Sequence, residues 1–235
     1  MVDEAFSRPE AAAEVRQRLY QLLAQGFRPP SSGLGEAWPQ EDLASLAEAA
    51  AELFPHSGIS RAVEEVATSL KAWQGRDVLK LEVEYNRLFV GPGHLEAAPY
   101  ESVYTSPEGL VMGEAAADVL RRYAEEGLGL SPSFKDLPDH VAVELEFMAY
   151  LCYKELECWQ REDWEEGRRY LAQERGMLRD HLSRWISLFR RRLAAATEEP
   201  LYRALASLVE ACIAWDQSWV GALTQALASL PEPEE

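Results

Sequence analysis

Apolar residues recur every three or four positions along nearly the whole chain, which is the spacing of one face of an α-helix. Apolar stripes of this kind cover residues 15–23, 43–54, 59–73, 78–89, 112–123, 141–159, 171–189 and 201–223. No two runs of alternating apolar and polar residues are joined by a hairpin turn, and no repeat of fixed period is evident. The pattern therefore predicts an all-α fold, with a single globular domain of about eight main helices over residues 1–230.

Several residues mark where these helices should begin and end. Gly91-Pro92-Gly93 predicts the end of the fourth helix, because glycine suits the turn past a C-terminus and proline cannot continue the helical hydrogen bonds. Ser106-Pro107-Glu108 predicts the start of the next helix, since a cap, a proline and a carboxylate follow one another. Ser60, Asp139 and Thr197 are predicted to cap the third, sixth and last helices.

Two segments are predicted to lie outside the packed helices. Residues 127–138 contain glycine and proline without an apolar period, so they are the expected hinge if the domain is subdivided. Residues 231–235 consist of proline and glutamate, which predicts a disordered acidic tail.

The composition narrows the range of partners. The chain of 235 residues has 47% apolar residues, as globular proteins do, and a formal charge of −17. This charge disfavours nucleic acid and anionic membrane surfaces, because their phosphate groups would be repelled. It favours a cationic partner, although an acidic surface also serves solubility alone.

Cysteine usage and the chain's apolar runs indicate a cytoplasmic protein. Cys152, Cys158 and Cys212 have no metal-type spacing and fall inside helical patterns, so they are predicted to be buried thiols in a reducing compartment. The N-terminal residues are acidic and lack an apolar signal core. No run approaches the roughly 20 apolar residues that a membrane span requires, so no integral membrane segment is predicted.

The stretch of residues 84–104 stands out, because a helix end is followed by a long tyrosine-rich segment with little periodicity. Long loops inside a compact domain are usually functional or disordered. The aromatic residues and Leu95 argue against disorder, since they carry apolar area that water disfavours. We expect an ordered loop packed on helices, with part of its aromatic surface available to a partner.

Enzyme signatures are missing from the sequence. It contains no phosphate-binding loop, no zinc motif and no G-x-S-x-G elbow. His140 and Glu144 share one face of the sixth helix, at positions i and i+4. They are compatible with a metal half-site, a proton-transfer pair, a recognition pair for a cationic ligand, or a buried pair that fixes helix orientation. Two ligands do not make a metal site, so no metal is predicted.

Four motifs occur in order: Tyr85-x-x-Leu88-Phe89, Gly91-Pro92, Pro99-Tyr100-x-Ser102-Val103-Tyr104 and Pro138-Asp139-His140. In this arrangement the chain resembles the TorD/DmsD/NarJ family of cytoplasmic redox-enzyme maturation chaperones. The resemblance implies the all-helical fold of that family and implies binding rather than catalysis. Members hold the twin-arginine signal peptide, and often the body, of a molybdopterin-dependent oxidoreductase subunit until its cofactor is inserted.

The resemblance also implies a recognition surface. The residues that match the motifs and would line it are Tyr85, Leu88, Phe89, Pro99, Tyr100, Tyr104, Asp139 and His140; we add Ser102 and Glu144. Asp139 and Glu144 are the candidate carboxylates for the arginines of a signal peptide. No cofactor is expected, weak binding of guanine nucleotide is implied by the resemblance alone, and a monomer and a homodimer are both compatible with the sequence.

Two other functions are kept as alternatives. The first is a helical metal-dependent hydrolase that uses His140 and Glu144, with His94 as a further candidate. The second is a general helical adaptor for a different partner.

Overall fold

A computed structural model describes residues 8–30, 38–74, 76–92, 95–107, 109, 111, 113–129 and 136–228. Gly93, His94, Glu108 and Met112 lie outside these residues, as do positions 130–135 of the expected hinge and the predicted tail at 231–235.

The described residues form ten α-helical segments. They are α1 (Pro9–Gly26), α2 (Gln40–Leu53), α3 (Ile59–Trp73), α4 (Leu79–Tyr85), α5 (Glu101–Thr105), α6 (Glu114–Glu125), α7 (Val141–Gln160), α8 (Trp164–Met177), α9 (Ser183–Ala196) and α10 (Pro200–Ala228). A π-helical turn, π1 (Asn86–Val90), extends α4, and a second, π2 (Leu178–Leu182), joins α8 to α9. Over the described ranges no strand is formed, so the all-α prediction is confirmed.

Helix α7 lies at the centre of the packing. Its sequence is apolar on two adjacent faces, which indicates a central helix, and thirteen of its 20 residues are buried. Helix α1 packs along one side of it and α8 along another, while α3, α8 and α9 each contact α10. None of the helices described is long and apolar enough to cross a membrane.

The observed start of α3 corrects one predicted cap. Ser60 lies inside the helix, which begins at Ile59 after Gly58. Gly58 has a φ of 79°, a left-handed conformation that glycine adopts without a Cβ clash. The Ile59 N–H donates to Ser57 Oγ at 3.1 Å, so the capping hydroxyl comes from three residues before the predicted one.

The segment after the fourth helix also departs from prediction at one point. Gly91, with a φ of 81°, ends π1 as expected. The Ser106-Pro107 pair does not start a helix: the Ser106 N–H donates to Ser102 O at 3.0 Å and closes the short helix α5. The next helix, α6, begins only at Glu114. The predicted cap Thr197 lies two residues before the cap position of α10, which begins at Pro200: Thr197 Oγ1 accepts the Glu199 N–H at 3.0 Å, and Glu199 Oε1 accepts the Leu201 N–H of the helix at 3.2 Å.

One buried arginine ties four helices together. Arg16 of α1 donates to Glu155 of α7 and to Asp216 of α10, both at 2.6 Å, and also to Glu174 of α8. Tyr20 donates to Asp216 at 2.6 Å. Burial, together with the nearby Glu155 and Asp216 carboxylates, raises the pKa of Glu174 well above its usual value, although the Arg16 guanidinium opposes this shift.

Replacing Arg16 with Met should lower the free energy of unfolding by about 3–5 kcal/mol, because three buried carboxyl groups lose their cation. Urea denaturation followed by tryptophan fluorescence measures this loss. Arg61→Met is the control, since the Arg61 side chain is 85% exposed and pairs with Glu65 on the same helix. That change should cost less than about 1 kcal/mol. Equal losses in both variants would contradict a structural role for the buried arginine.

Candidate functional site

Two motif segments that are far apart in the sequence meet at the start of α7. Tyr100 and His140 form an isolated antiparallel bridge. The Val141 N–H donates to Pro99 O at 2.8 Å, and the Glu101 N–H donates to Asp139 O at 3.0 Å. The backbone of the proline–tyrosine motif is thereby fixed to that of the Pro-Asp-His motif.

The two caps at this junction differ from the predicted one. Asp139 does not cap α7; its Oδ2 accepts the Ser102 N–H at 2.9 Å and also the Ser102 hydroxyl, so it caps the short helix α5. His140 caps α7 instead, since its Nδ1 accepts the Ala142 N–H at 3.1 Å. Each segment thus supports the other, which explains how a helix of only five residues is held in place.

His140 is neutral in this environment. Burial lowers its pKa to about 4, against the opposing effect of the Asp136 and Asp139 carboxylates. Because Nδ1 accepts a hydrogen bond, the single proton of the neutral ring is on Nε2, which lies 3.8 Å from Asp136 Oδ2. The ring also packs edge-on against Tyr100, with 5.4 Å between centroids.

Tyr100, Tyr104 and Asp136 are three partly exposed side chains of this region, and we call them the rim. Tyr100 is half-buried and donates its hydroxyl to Asp136 Oδ1 at 2.6 Å. The Tyr104 ring is half-buried beside Trp185, and the guanidinium of Arg192 lies 4.9 Å from its centroid. The Asp136 side chain is 37% exposed, whereas Asp139 is fully buried. Of these two carboxylates, Asp136 is therefore the one that a ligand can reach, although the sequence motifs did not indicate it.

A group of buried polar side chains lies beneath the rim. It comprises Glu101 of α5, Glu144 of α7 and His181 of π2, and we call it the buried triad. Glu144 Oε2 accepts the Trp185 indole N–H at 3.1 Å. Burial, together with the nearby Glu101 carboxylate, raises the pKa of Glu144 well above its usual value, which favours its neutral form.

His181 lies between two carboxylates. Its Nδ1 is 2.7 Å from Glu101 Oε2, and its Nε2 is 2.8 Å from Asp118 Oδ2. Burial opposes the charged ring, but the two carboxylates outweigh it and raise the pKa of His181. The sequence analysis missed His181; a histidine between Leu178 and Leu182 of an apolar stripe was the available signal.

The residues predicted from the first motif occupy a different environment. Tyr85, Leu88 and Phe89 are each at most 3% exposed. The rings of Tyr85 and Phe89 pack against Phe27, Phe189 and Tyr202. The Tyr85 hydroxyl donates to the Phe27 carbonyl at 3.3 Å. In this structure they form an aromatic core rather than the wall of an open groove. The apolar area of the motif is satisfied by other helices of the same chain.

The predicted site residues are nevertheless connected. Pro99, Tyr100, Ser102, Asp139, His140 and Glu144 lie around one junction, and Tyr104 is on the same short helix as Ser102. Phe189 links the two groups, since its ring centroid is 6.3 Å from Tyr104 and 6.4 Å from Phe89. Two surface grooves lie elsewhere, one of 690 Å³ between α3 and α10 and one of 530 Å³ between α1 and α7.

His140 and Glu144, which were predicted as a pair, bond to different partners in the structure. His140 uses one ring nitrogen for a backbone N–H and turns the other toward Asp136, whereas Glu144 bonds to Trp185. They therefore serve different groups of residues, and nothing in this geometry favours the hydrolase alternative.

The described residues form an all-helical protein in which the proline–tyrosine motif and the Pro-Asp-His motif meet at one junction above a buried polar group. The sequence model of the nitrate reductase delta subunit family matches residues 9–191. This match covers more than half of the chain, so the chain belongs to the nitrate reductase delta subunit family. The resemblance inferred from the motifs is thereby confirmed.

Several curated proteins and one solved structure are similar to this chain. "Chaperone protein TorD" of Vibrio parahaemolyticus is 24% identical over 172 residues, which cover 72% of this chain and 79% of that protein. "Chaperone protein TorD" of Shewanella loihica is 26% identical over 222 residues, covering 90% and 95%. The same-named protein of Photobacterium profundum is 28% identical over 142 residues, covering 60% and 64%. A crystal structure of a putative redox enzyme maturation protein from Archaeoglobus fulgidus aligns with a TM-score of 0.46 and 22% identity, over 83% of this chain and 93% of that one.

Replacing His140 with Asn should reduce the acid sensitivity of the fold. The folded state holds His140 neutral down to about pH 4, whereas the unfolded chain protonates it near pH 6.5. The unfolded state therefore binds more protons in this window, and stability falls as the pH drops from about 6.5 to 4. Asparagine retains an oxygen that can accept the Ala142 N–H but does not titrate.

Urea denaturation at pH 7.5, 5.5 and 4.5 measures the effect as the difference between the wild type and His140→Asn at each pH. The wild type should lose more stability between pH 7.5 and 4.5 than the variant does. His56→Asn is the control, because His56 is exposed. Parallel losses in wild type and His140→Asn would show that His140 is not held neutral.

Proposed function

We propose that this chain is a chaperone for the maturation of a redox enzyme and not itself an enzyme. Family membership over residues 9–191 supports this role, as do the names of the curated relatives, which are called chaperone proteins. In this proposal the chain acts in the cytoplasm and binds another polypeptide. It requires no cofactor, and it holds for a monomer as well as a homodimer.

The proposed client is the twin-arginine signal peptide, the unfinished body, or both, of a molybdopterin-dependent oxidoreductase subunit. Such a leader joins a cationic head to an apolar segment. The net charge of −17 would accelerate the encounter with a cationic peptide. The chaperone would hold the client before export, while the cofactor is inserted.

The single observation that carries the proposal is the rim. There a tyrosine hydroxyl and an accessible carboxylate, Tyr100 and Asp136, are paired directly above the junction of the two motifs. An arginine of the leader can replace the Tyr100 hydroxyl on Asp136 and gain a bidentate, charge-assisted pair. The half-buried rings of Tyr100 and Tyr104 offer apolar area beside it. Asp139 and Glu144, which are fully buried, support the rim and do not reach the ligand in this conformation.

The burial of Tyr85, Leu88 and Phe89 adds a condition to this proposal. These side chains can contact the apolar part of a leader only if the helices above them move. In the conformation described here they stabilise the base of the site. Binding should therefore depend first on Tyr100, Tyr104 and Asp136.

Replacing Asp136 with Asn should weaken binding of a twin-arginine leader about 10- to 100-fold, since one charge-assisted pair is lost. Isothermal titration calorimetry with a synthetic leader peptide measures this change. A twin-lysine peptide should bind more weakly to the wild type and should be less affected by Asp136→Asn, because lysine does not form a bidentate pair. Glu165→Gln, which removes the same charge from an exposed position on α8, should leave the affinity unchanged.

Equal binding of the two peptides, with no effect of Asp136→Asn, would reject recognition of the signal peptide at the rim. Recovery of another protein and no molybdoenzyme in co-purification would favour the adaptor alternative instead.

A further inference from the structure

The buried triad has the composition and spacing of a metal site. One ligand atom from each of Glu101, Glu144 and His181 lies within 4.8 Å of the other two. The three residues are at most 3% exposed and come from three separate elements, α5, α7 and π2. Carboxylate oxygen and imidazole nitrogen together suit zinc and similar divalent ions.

Two oxygen atoms of the triad are left without a counterpart. Glu101 Oε1 and Glu144 Oε1 are buried and have no hydrogen-bond partner among the residues that the structure describes. A buried acceptor without a partner destabilises the folded state, and more so if it is charged. Something positive between these oxygens, either a shared proton or a cation, would remove that cost.

The surroundings of the triad are arranged as they are around metal ligands. His181 Nε2 faces Asp118 Oδ2 at 2.8 Å, so a carboxylate orients the ring and leaves Nδ1 toward Glu101. Metal-bound histidines usually have such a carboxylate on their other nitrogen. The Trp185 indole N–H likewise fixes Glu144 through Oε2, and Glu144 Oε1 is left without a partner among the described residues.

The distance between His181 Nδ1 and Glu101 Oε2 needs to change little for both atoms to bind one ion. Nδ1 of His181 and Oε2 of Glu101 are 2.7 Å apart. Two ligands of a tetrahedral ion with bonds of about 2.0 Å are about 3.3 Å apart. A widening of a few tenths of an ångström and loss of the proton between these atoms would admit the ion.

A second buried group in the same protein shows what the triad lacks. Cys152, Glu155 and Glu174 also lie within 4.8 Å of one another. There the guanidinium of Arg16 already supplies the cation, because it contacts both carboxylates. Within the described part of the chain, no arginine or lysine forms an ion pair with Glu101 or Glu144.

We propose that Glu101, Glu144 and His181 bind one divalent transition-metal ion of the zinc type, which joins α5 to α7 and π2. The ion has a structural role: it holds the short helix that carries Tyr104 against the centre of the fold. This inference does not rest on the proposed chaperone function, because it requires no client.

The test uses the untagged full-length protein, stripped of metal with a chelator and dialysed. Titration with Zn²⁺ in a calorimeter should give one tight site, and Co²⁺ should give the visible absorption of a low-symmetry four- or five-coordinate ion. His181→Ala and Glu144→Gln should each weaken Zn²⁺ binding by more than the roughly 10- to 100-fold loss that follows removal of a group that only orients a ligand. Zn²⁺ should also raise the melting temperature of the wild type.

Two variants serve as matched controls. Glu146→Gln changes an exposed carboxylate two residues from Glu144 on the same helix, and Cys152→Ser changes the second buried group; both should keep wild-type affinity. Less than a tenth of an equivalent bound by the wild type would overturn the proposal. Unchanged binding in Glu144→Gln, or loss in Cys152→Ser alone, would do the same. If His181→Ala does not fold by circular dichroism, the isosteric Glu144→Gln variant decides the question.

Discussion

The backbone pairing of residues 99–101 with residues 139–141 is the constraint on which the candidate site depends. It joins a segment that has almost no regular structure of its own to the first turn of the central helix. The Asp139 carboxylate then accepts the Ser102 N–H of α5, and the His140 ring accepts the Ala142 N–H of α7. A five-residue helix is unstable alone, so α5 exists because this junction holds it. Tyr100, Glu101 and Tyr104 take their positions from it.

The two buried groups of carboxylates in this fold differ in the side chain that supplies their positive charge. Arg16 of α1 forms ion pairs with one carboxylate from each of three other helices, α7, α8 and α10. These contacts hold the four helices together. In the buried triad the only positive group is a histidine, and Glu101 Oε1 and Glu144 Oε1 have no hydrogen-bond partner among the described residues. The first group therefore has a guanidinium as its cation, whereas the second is where we propose a metal ion.

The aromatic residues of the site divide into a base and a rim. The base, formed by Tyr85 and Phe89 with Phe189, is sealed by the protein's own helices. The rim residues Tyr100 and Tyr104 are half-buried. The aromatic residues of the motifs therefore have two roles, packing in the core and exposure at the rim. The sequence does not distinguish these roles, since both use aromatic side chains at similar spacing. Only the positions of α9 and α10 decide which rings remain in contact with water.

The sequence by itself determined the helical fold class, the central position of the sixth predicted helix and the end of the fourth at Gly91. These features follow from periodicity and from the conformational limits of glycine and proline, which act over a few residues. It also identified Tyr100, Asp139 and His140 as one group through the family motifs. Only the tertiary structure decided that Asp139 caps α5, that His181 meets Glu101, and that Arg16 meets Asp216. The partners in these contacts are 37, 80 and 200 residues apart, so they are set by helix packing and leave no local trace in the sequence.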